Sequence, residues 1–381
     1  MVNLTKSALH QGTSGVAWIE RVINRRRNRG WLIIGMGVLI LASGLVACQP
    51  AAEVTEGVGK AGEGDPESKR LVIYSGRSES LVGPIIEQFE QERGIEVEVR
   101  FGGTAEMAGV LLEEGAESPA DLFYAQDPGG LGAVQAAGLL APLPAEIREL
   151  VPDRFVSDSG EWVGISGRAR TVVYNTKAIS KPEEQLPGDL SGFTDPAWHG
   201  RLGWAPTNGS FLAMVTGIRA IWGEEKTRNW LAEMQANEPA VYESNSAIVA
   251  AVGAGEIDVG LVNHYYLYRF LAEEGEGFGA RNYFLPGGGP GSLIMVSGVG
   301  QLKSAENQEN GLEFIRFLLS KDGQQYFADE TFEYPLVAGV TTVAGLPPLA
   351  ELDKQAVEIE LSQLADVAGT QEMLLSLGII E

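Results

Sequence analysis

From Leu71 onward the chain alternates short apolar runs with amphipathic stretches, and this alternation restricts the fold more than any other feature of the sequence. Leu71-Val-Ile-Tyr74 reads as a buried strand, after which Ser75-Gly-Arg-Ser78 turns into an amphipathic helix predicted from Glu79 to Arg93. Ile95 to Phe101 alternates as a half-exposed strand, Thr104 to Glu114 is helical, Asp121-Leu-Phe-Tyr124 is a third strand, and Gly129 to Ala137 begins a further helix. Strands that alternate with helices predict a parallel, doubly wound sheet. In such sheets the ligand crevice lies at the carboxyl ends of the strands.

The second half repeats the theme without repeating the sequence. Trp162 to Ser166 and Thr171 to Tyr174 read as strands crossing between lobes, and Arg201 to Trp204 leads through Ala205-Pro-Thr-Asn-Gly-Ser210 into a helix ending near Trp222. Val241-Tyr-Glu-Ser-Asn-Ser246 leads into a helix through Val252, and Ile257 to Val262 is a strand. Gly287 to Ser292 reads as a loop before the strand Leu293 to Val299, with helical patterns near Gly311 to Phe327 and Leu349 to Leu364. About 310 residues follow the tether described below, more than one core usually serves, so two α/β lobes joined by hinge crossings are expected.

The chain opens on an address label. A basic block (Arg21, Arg25, Arg26, Arg27 and Arg29) precedes an apolar run from Trp31 to Val46, closed by Leu45-Val-Ala-Cys48. The run is shorter than the roughly 20 residues of a spanning helix. Its order of basic, apolar and small segments reads as a cleaved export signal. The ending resembles a bacterial lipobox, which implies cleavage before Cys48 and a lipid on its sulfur. The paired arginines also suit twin-arginine export. Residues from Gln49 to about Lys69 lack apolar periodicity and read as a flexible tether. Cys48 is the only cysteine, so the mature chain has no internal disulfide and no thiolate metal site. The formal net charge of −23, which becomes more negative once the basic leader is lost, argues against nucleic acid and anionic membrane surfaces as partners.

Tyr265 and Tyr266 stand side by side in Val262-Asn-His-Tyr-Tyr-Leu-Tyr268. Consecutive strand residues point to opposite faces, so both rings can serve one site only if the backbone turns there. Otherwise one ring packs the core and the other lies at the surface. Two phenolate oxygens on one center suit a hard cation such as Fe(III). Helix starts at Ser78, at Thr207-Asn-Gly-Ser210 and at Asn245-Ser246, together with Arg168 and Arg170, form a set able to hold a small oxyanion.

These residues carry a resemblance. From Leu71 to about Val340 the chain is similar to the bacterial ferric-iron-binding proteins of ABC importers, which have the two-lobed periplasmic-binding-protein fold and are sometimes called bacterial transferrins. The matching segments are Val72-Ile-Tyr-Ser-Gly76, Phe101-Gly-Gly-Thr-Ala-Glu106, Pro119-Ala-Asp-Leu-Phe-Tyr124, Ser166-Gly-Arg-Ala-Arg170, Ala205-Pro-Thr-Asn-Gly-Ser-Phe211 and Val262-Asn-His-Tyr-Tyr266. The resemblance implies an α/β fold of two lobes, each a doubly wound mixed sheet, with a hinge between them. It implies Tyr265 and Tyr266 as iron ligands, and Asn208, Gly209, Ser210, Asn245 and Asn263, with Arg168, as the seat of a synergistic carbonate or phosphate. Ser78 stands where some members place a ligating histidine, Gln126 beside Asp127 where some place a glutamate, and the third tyrosine of other subgroups would fall near Asn208. Iron would then rest on two phenolates plus exogenous oxygens, with Glu79, Glu106 and Asp127 as further carboxylate candidates.

The expected division is an export signal (1–47), a lipidated cysteine and tether (48–69), a first lobe (70–168, returning at 296–346), a second lobe (169–295), and C-terminal helices on the second lobe (347–381). The expected product is a monomeric, membrane-anchored lipoprotein outside the cytoplasm that hands Fe(III) to an ABC permease and is not an enzyme. Two other readings stay open: capture of another oxyanion or an organic acid, with the tyrosines as pocket walls, and an exported hydrolase using His264 as base and Tyr265 as acid. His264 otherwise reads as packing behind the pair, His199 as part of a polar turn, and Tyr174, Tyr242, Tyr268 and Tyr334 as structural.

Overall fold

The computed structural model of the protein describes residues 69–354, 359 and 361–381. The expected export signal, Cys48 and the expected tether up to residue 68 lie outside the described residues. In chain order the strands are β1 (Arg70–Ser75), β2 (Glu96–Phe101), β3 (Leu122–Ala125), β4 (Leu140–Ala141), β5 (Trp162–Asn175), β6 (Leu202–Trp204), β7 (Ala240–Val241), β8 (Val259–Asn263), β9 (Ala280–Tyr283), β10 (Ile294–Leu302) and β11 (Tyr334–Pro335). They hydrogen-bond in the order β2-β1-β3-β10-β5-β8-β6-β7, with β4 on β10 and both β9 and β11 on β5.

The fold is two-lobed and mixed rather than parallel throughout. β1, β2 and β3 pair in parallel, as do β6, β7 and β8, as the strand and helix alternation predicts. β10 is antiparallel to both β3 and β5, and β5 is antiparallel to β8. The chain leaves the first group of strands and later re-enters it from the opposite end, which reverses the direction of the returning strand. β5 corrects a second expectation: Trp162 to Ser166 and Thr171 to Tyr174 belong to one continuous 14-residue strand. Its partners change along its length. Residues through Ala169 face β10 and β11, whereas from Arg170 onward they face β8 and β9.

The helix Glu79–Arg93 lays Leu81, Val82, Ile85, Ile86 and Phe89 on the first group of strands, and Phe89 meets Phe314 edge-on with centroids 5.0 Å apart. It stops at Gly94, whose φ of 65° lets its N–H reach the Glu90 carbonyl. β2 alternates exposed and half-buried residues, as its sequence predicts. A second core gathers Trp204, Phe211, Met214 and Trp230 with Met373 and Leu374 of the C-terminal helix Val367–Ser376. The pattern from Gly311 to Phe327 divides into Gln308–Leu318 and Lys321–Glu330, because Ser320 caps a new helix by accepting from the Gly323 N–H. Leu349 to Leu364 is likewise not one helix. Its short pieces Leu349–Asp353 and Leu361–Leu364 each turn an apolar residue, Leu352 and Leu364, into the first core. Among the described residues no helix is long and apolar enough to cross a membrane.

Candidate functional site

β8 ends at Asn263, and His264 adopts helical angles (φ −57°, ψ −39°), so the helix Tyr265–Glu274 starts without an intervening loop. The backbone turn required of the tyrosine pair is therefore present at the pair itself. Side chains of consecutive helical residues diverge by about 100° instead of pointing to opposite faces. The Tyr265 and Tyr266 rings stack, with centroids 4.3 Å apart and planes at 28°. Tyr265 is 1% exposed and Tyr266 is half-buried. Burial, and then the neighbouring Tyr266, push the Tyr265 phenol well above its ordinary value, while Arg168 pulls it back.

The asparagines and serine before this helix form one connected network. Asn208 caps the helix Gly209–Trp222, its Oδ1 accepting from the Ser210 N–H at 3.0 Å and from Asn245 Nδ2 at 3.0 Å. Asn245 Oδ1 accepts from the Asn263 N–H at 3.3 Å, and Asn263 Nδ2 donates to Ser210 Oγ at 3.2 Å. Asn263 Oδ1 in turn accepts from Arg170 Nη1 at 2.9 Å. The structure thus joins Asn208 and Ser210, with Gly209 between them in the chain, to the sequence-distant Asn245 and Asn263 at the end of β8. One detail differs from expectation: the cap of the helix Asn245–Ala254 is Ser244, which accepts from the Ala247 N–H, and this leaves the Asn245 amide to the network.

Arg168 and Arg170, two residues apart on β5, have different surroundings. Arg168 Nη2 donates to the Gln126 and Val296 carbonyls. Arg170 Nε and Nη2 are buried without a hydrogen-bond partner among the described residues. Burial holds the Arg170 guanidinium down to about 10, opposed by the nearby Tyr265 and Tyr266. A desolvated cation with spare donors beside two phenols is a setting for negative charge.

The remaining candidates sit on the first-lobe side. Ser78 and Glu79 are exposed at the start of Glu79–Arg93, where Ser78 makes no side-chain cap. Glu106 is exposed and its Oε2 accepts from the Gly103 N–H at 3.2 Å, at the start of the helix Thr104–Glu114. Asp127 caps the helix Pro128–Ala136 through the Gly129 N–H at 3.2 Å; desolvation raises its carboxyl while Arg168 lowers it. Gln126 is half-buried, its backbone tied to Thr104 and Arg168 and its Oε1 without a partner among the described residues. Glu106 and Asp127 therefore have helix-capping work, which accounts for their carboxylates without a metal.

Sequence reasoning missed Arg77 and Glu333. Their buried, two-pronged ion pair, at 2.9 and 2.7 Å, lies close enough to Tyr265 for both charges to act on it. A lone glutamate in the aromatic run Phe332-Glu-Tyr334 was the available signal. His264 is fully buried: Nδ1 accepts from the Ala169 N–H at 3.1 Å, so Nε2 carries the proton it donates to the Phe332 carbonyl at 2.8 Å. Burial pushes its imidazole down to about 4. Tyr268 and Tyr334 are structural, their hydroxyls bonded to the Gly345 and Pro347 carbonyls. Among the described residues no cluster of three or more His, Cys, Asp or Glu is placed to hold a metal ion.

Comparison with known proteins agrees with this architecture. Residues 74–325 match the family model for bacterial extracellular solute-binding proteins. The chain is 36% identical over 299 residues to the major ferric iron-binding protein of Neisseria meningitidis serogroup A, covering 77% of this chain and 88% of that one. It is 34% identical over 296 residues to the Fe(3+)-binding periplasmic protein of Serratia marcescens, covering 77% and 86%. It superposes on the crystal structure of iron-bound HitA from Pseudomonas aeruginosa with a TM-score of 0.75 at 34% identity, covering 81% of this chain and 99% of that one. With a two-lobed mixed fold, a family-model match over residues 74–325 and relatives matched over most of their length, the chain belongs to the family of bacterial extracellular solute-binding proteins.

Proposed function

We propose that the protein captures ferric iron with the Tyr265 and Tyr266 phenolates, completes the coordination with a small oxyanion, and delivers the cargo to an ABC permease. The observation that carries this reading is the stacked tyrosine pair at a helix start beside Arg170, which has two buried donors without a partner among the described residues. The names of the relatives point to the same cargo. Arg170 joins Asn208, Gly209, Ser210, Asn245 and Asn263 in the proposed anion seat, and Arg168 supports it by charge. A carbonate or phosphate there would offset Arg170 and part of the metal charge.

Phenols bind iron as phenolates, so loading expels both protons and affinity falls as pH drops. The lobes, proposed to divide at 168/169 and 295/296, would close over the cargo and mark the loaded state. A hydrolase is disfavoured because both His264 ring nitrogens are committed to backbone groups. Cys48, outside the described residues, is the proposed lipid anchor of a monomeric lipoprotein beyond the cytoplasmic membrane. Titration of the soluble part with ferric citrate should raise a phenolate-to-iron charge-transfer band in the visible. No band would sink the iron reading in favour of an oxyanion or organic-acid cargo.

A further inference from the structure

The turn Thr331-Phe-Glu333 meets the tyrosine helix from the other group of strands. Phe332 has a φ of +57°, which side-chain-bearing residues rarely adopt, and its carbonyl is the acceptor for His264 Nε2–H. Such a conformation persists only where its surroundings over-determine it. Here Glu333 is held by Arg77, by Ser166 at 3.0 Å and by Thr331 at 3.1 Å, while Tyr334 pairs with β5. On the other side, the His264 N–H donates to the Ala169 carbonyl at 3.0 Å, and the His264 carbonyl accepts from Asn282 Nδ2 at 2.8 Å. The imidazole lies 4.7 Å from the Tyr334 ring and meets Tyr265 edge-on at 5.8 Å.

Tyr265 is the first residue of its helix, so no preceding helical turn restrains its side chain. The His264 ring supplies a wall in its place. We propose that the Phe332 carbonyl, acting through His264, positions Tyr265 for its cargo, so that a turn of the first lobe sets the aim of a ligand carried by the second. His264 is then a positioning residue. The proposal rests on the iron reading above, and its test separates the two.

His264→Gln places an amide donor near the Nε2 position and keeps the bond to Phe332, whereas His264→Asn places an acceptor near the Nδ1 position and keeps only the bond to Ala169. Both are made in the full chain, loaded with ferric citrate, and followed by the energy of the visible band and by iron release to a chelator, with thermal melting to confirm folding. His264→Gln, which keeps the Phe332 anchor but not the ring, should stay closer to wild type than His264→Asn in both band energy and release. His264→Asn should shift the band and release iron about tenfold faster, the worth of one good hydrogen bond. A folded His264→Asn protein with wild-type band and release, or a His264→Gln protein equally impaired, would overturn the proposal. Should neither variant fold, Thr331→Val loosens Glu333 without touching the tyrosines, and an unchanged band and release rate there would overturn it too. Absence of the band in wild type would remove the iron reading itself.

Discussion

Arg170 and Asn263 face one another in the β5–β8 ladder, and Arg170 Nη1 donates to Asn263 Oδ1 at 2.9 Å. One end of the guanidinium is thus held by an amide that also grips Ser210, while Nε and Nη2 stay buried without a partner among the described residues. A cation fixed in this way has already lost its freedom before an anion arrives. That is preorganisation, and it accounts for a desolvated arginine beside two phenols.

Arg170→Gln should therefore weaken ferric binding roughly 10–100-fold in the presence of carbonate or phosphate, the range for losing an outer-shell partner of a metal site. It should also blunt the gain on adding the anion back to anion-free protein. Arg168→Gln should cost less, because Arg168 donates to carbonyls. Iron titrations with and without each anion measure both, and an undiminished anion response in Arg170→Gln would count against the proposed seat.

Tyr265→Phe and Tyr266→Phe each remove a proposed ligand oxygen and keep the aromatic ring. Each should cost more than the roughly 10–100-fold expected of an outer-shell loss, with weakening of the visible band. Competition against a calibrated chelator gives the affinities. Near-wild-type binding by both variants would refute the central reading.

Glu333 makes stability depend on pH. Burial alone would raise its carboxyl, but Arg77, with help from Arg168 and Ser166, holds it below the ordinary 4.5. Its folded value lies below its unfolded value, so the stabilisation is fully present above 4.5 and lost as pH falls through the folded value. Glu333→Gln leaves Arg77 buried and unmatched, and should cost about 3–5 kcal/mol near neutral pH. The deficit should shrink in acid below 4.5, where wild type loses the same contribution. Thermal unfolding of both proteins across that range would show parallel curves if the pair were not responsible.

Cys48→Ala should release the protein from membranes without changing its melting temperature or iron titration. Fractionation of producing cells, with mass spectrometry of the mature N-terminus, decides this. A wild-type protein recovered soluble and without lipid would rule out the anchor.

Much of this protein was settled by short-range pattern. The alternation in β2, the cap at Asn208, and the adjacency of Tyr265 and Tyr266 depend on residues within a few positions of each other, where local periodicity and capping chemistry act. Partners that meet from opposite ends of the chain were not legible. Arg77 and Glu333 lie 256 positions apart, and no local pattern records their pairing. Nor does local pattern record that β10 returns antiparallel to β3 and β5. The two arginines of β5 show the division most clearly. Arg168 and Arg170 occupy alternate positions of one strand and share a face, so their own sequence cannot rank them. Between them, at Ala169, β5 exchanges the partners of one lobe for those of the other, giving Arg168 backbone carbonyls to bind and leaving Arg170 beside Asn263 and the tyrosines.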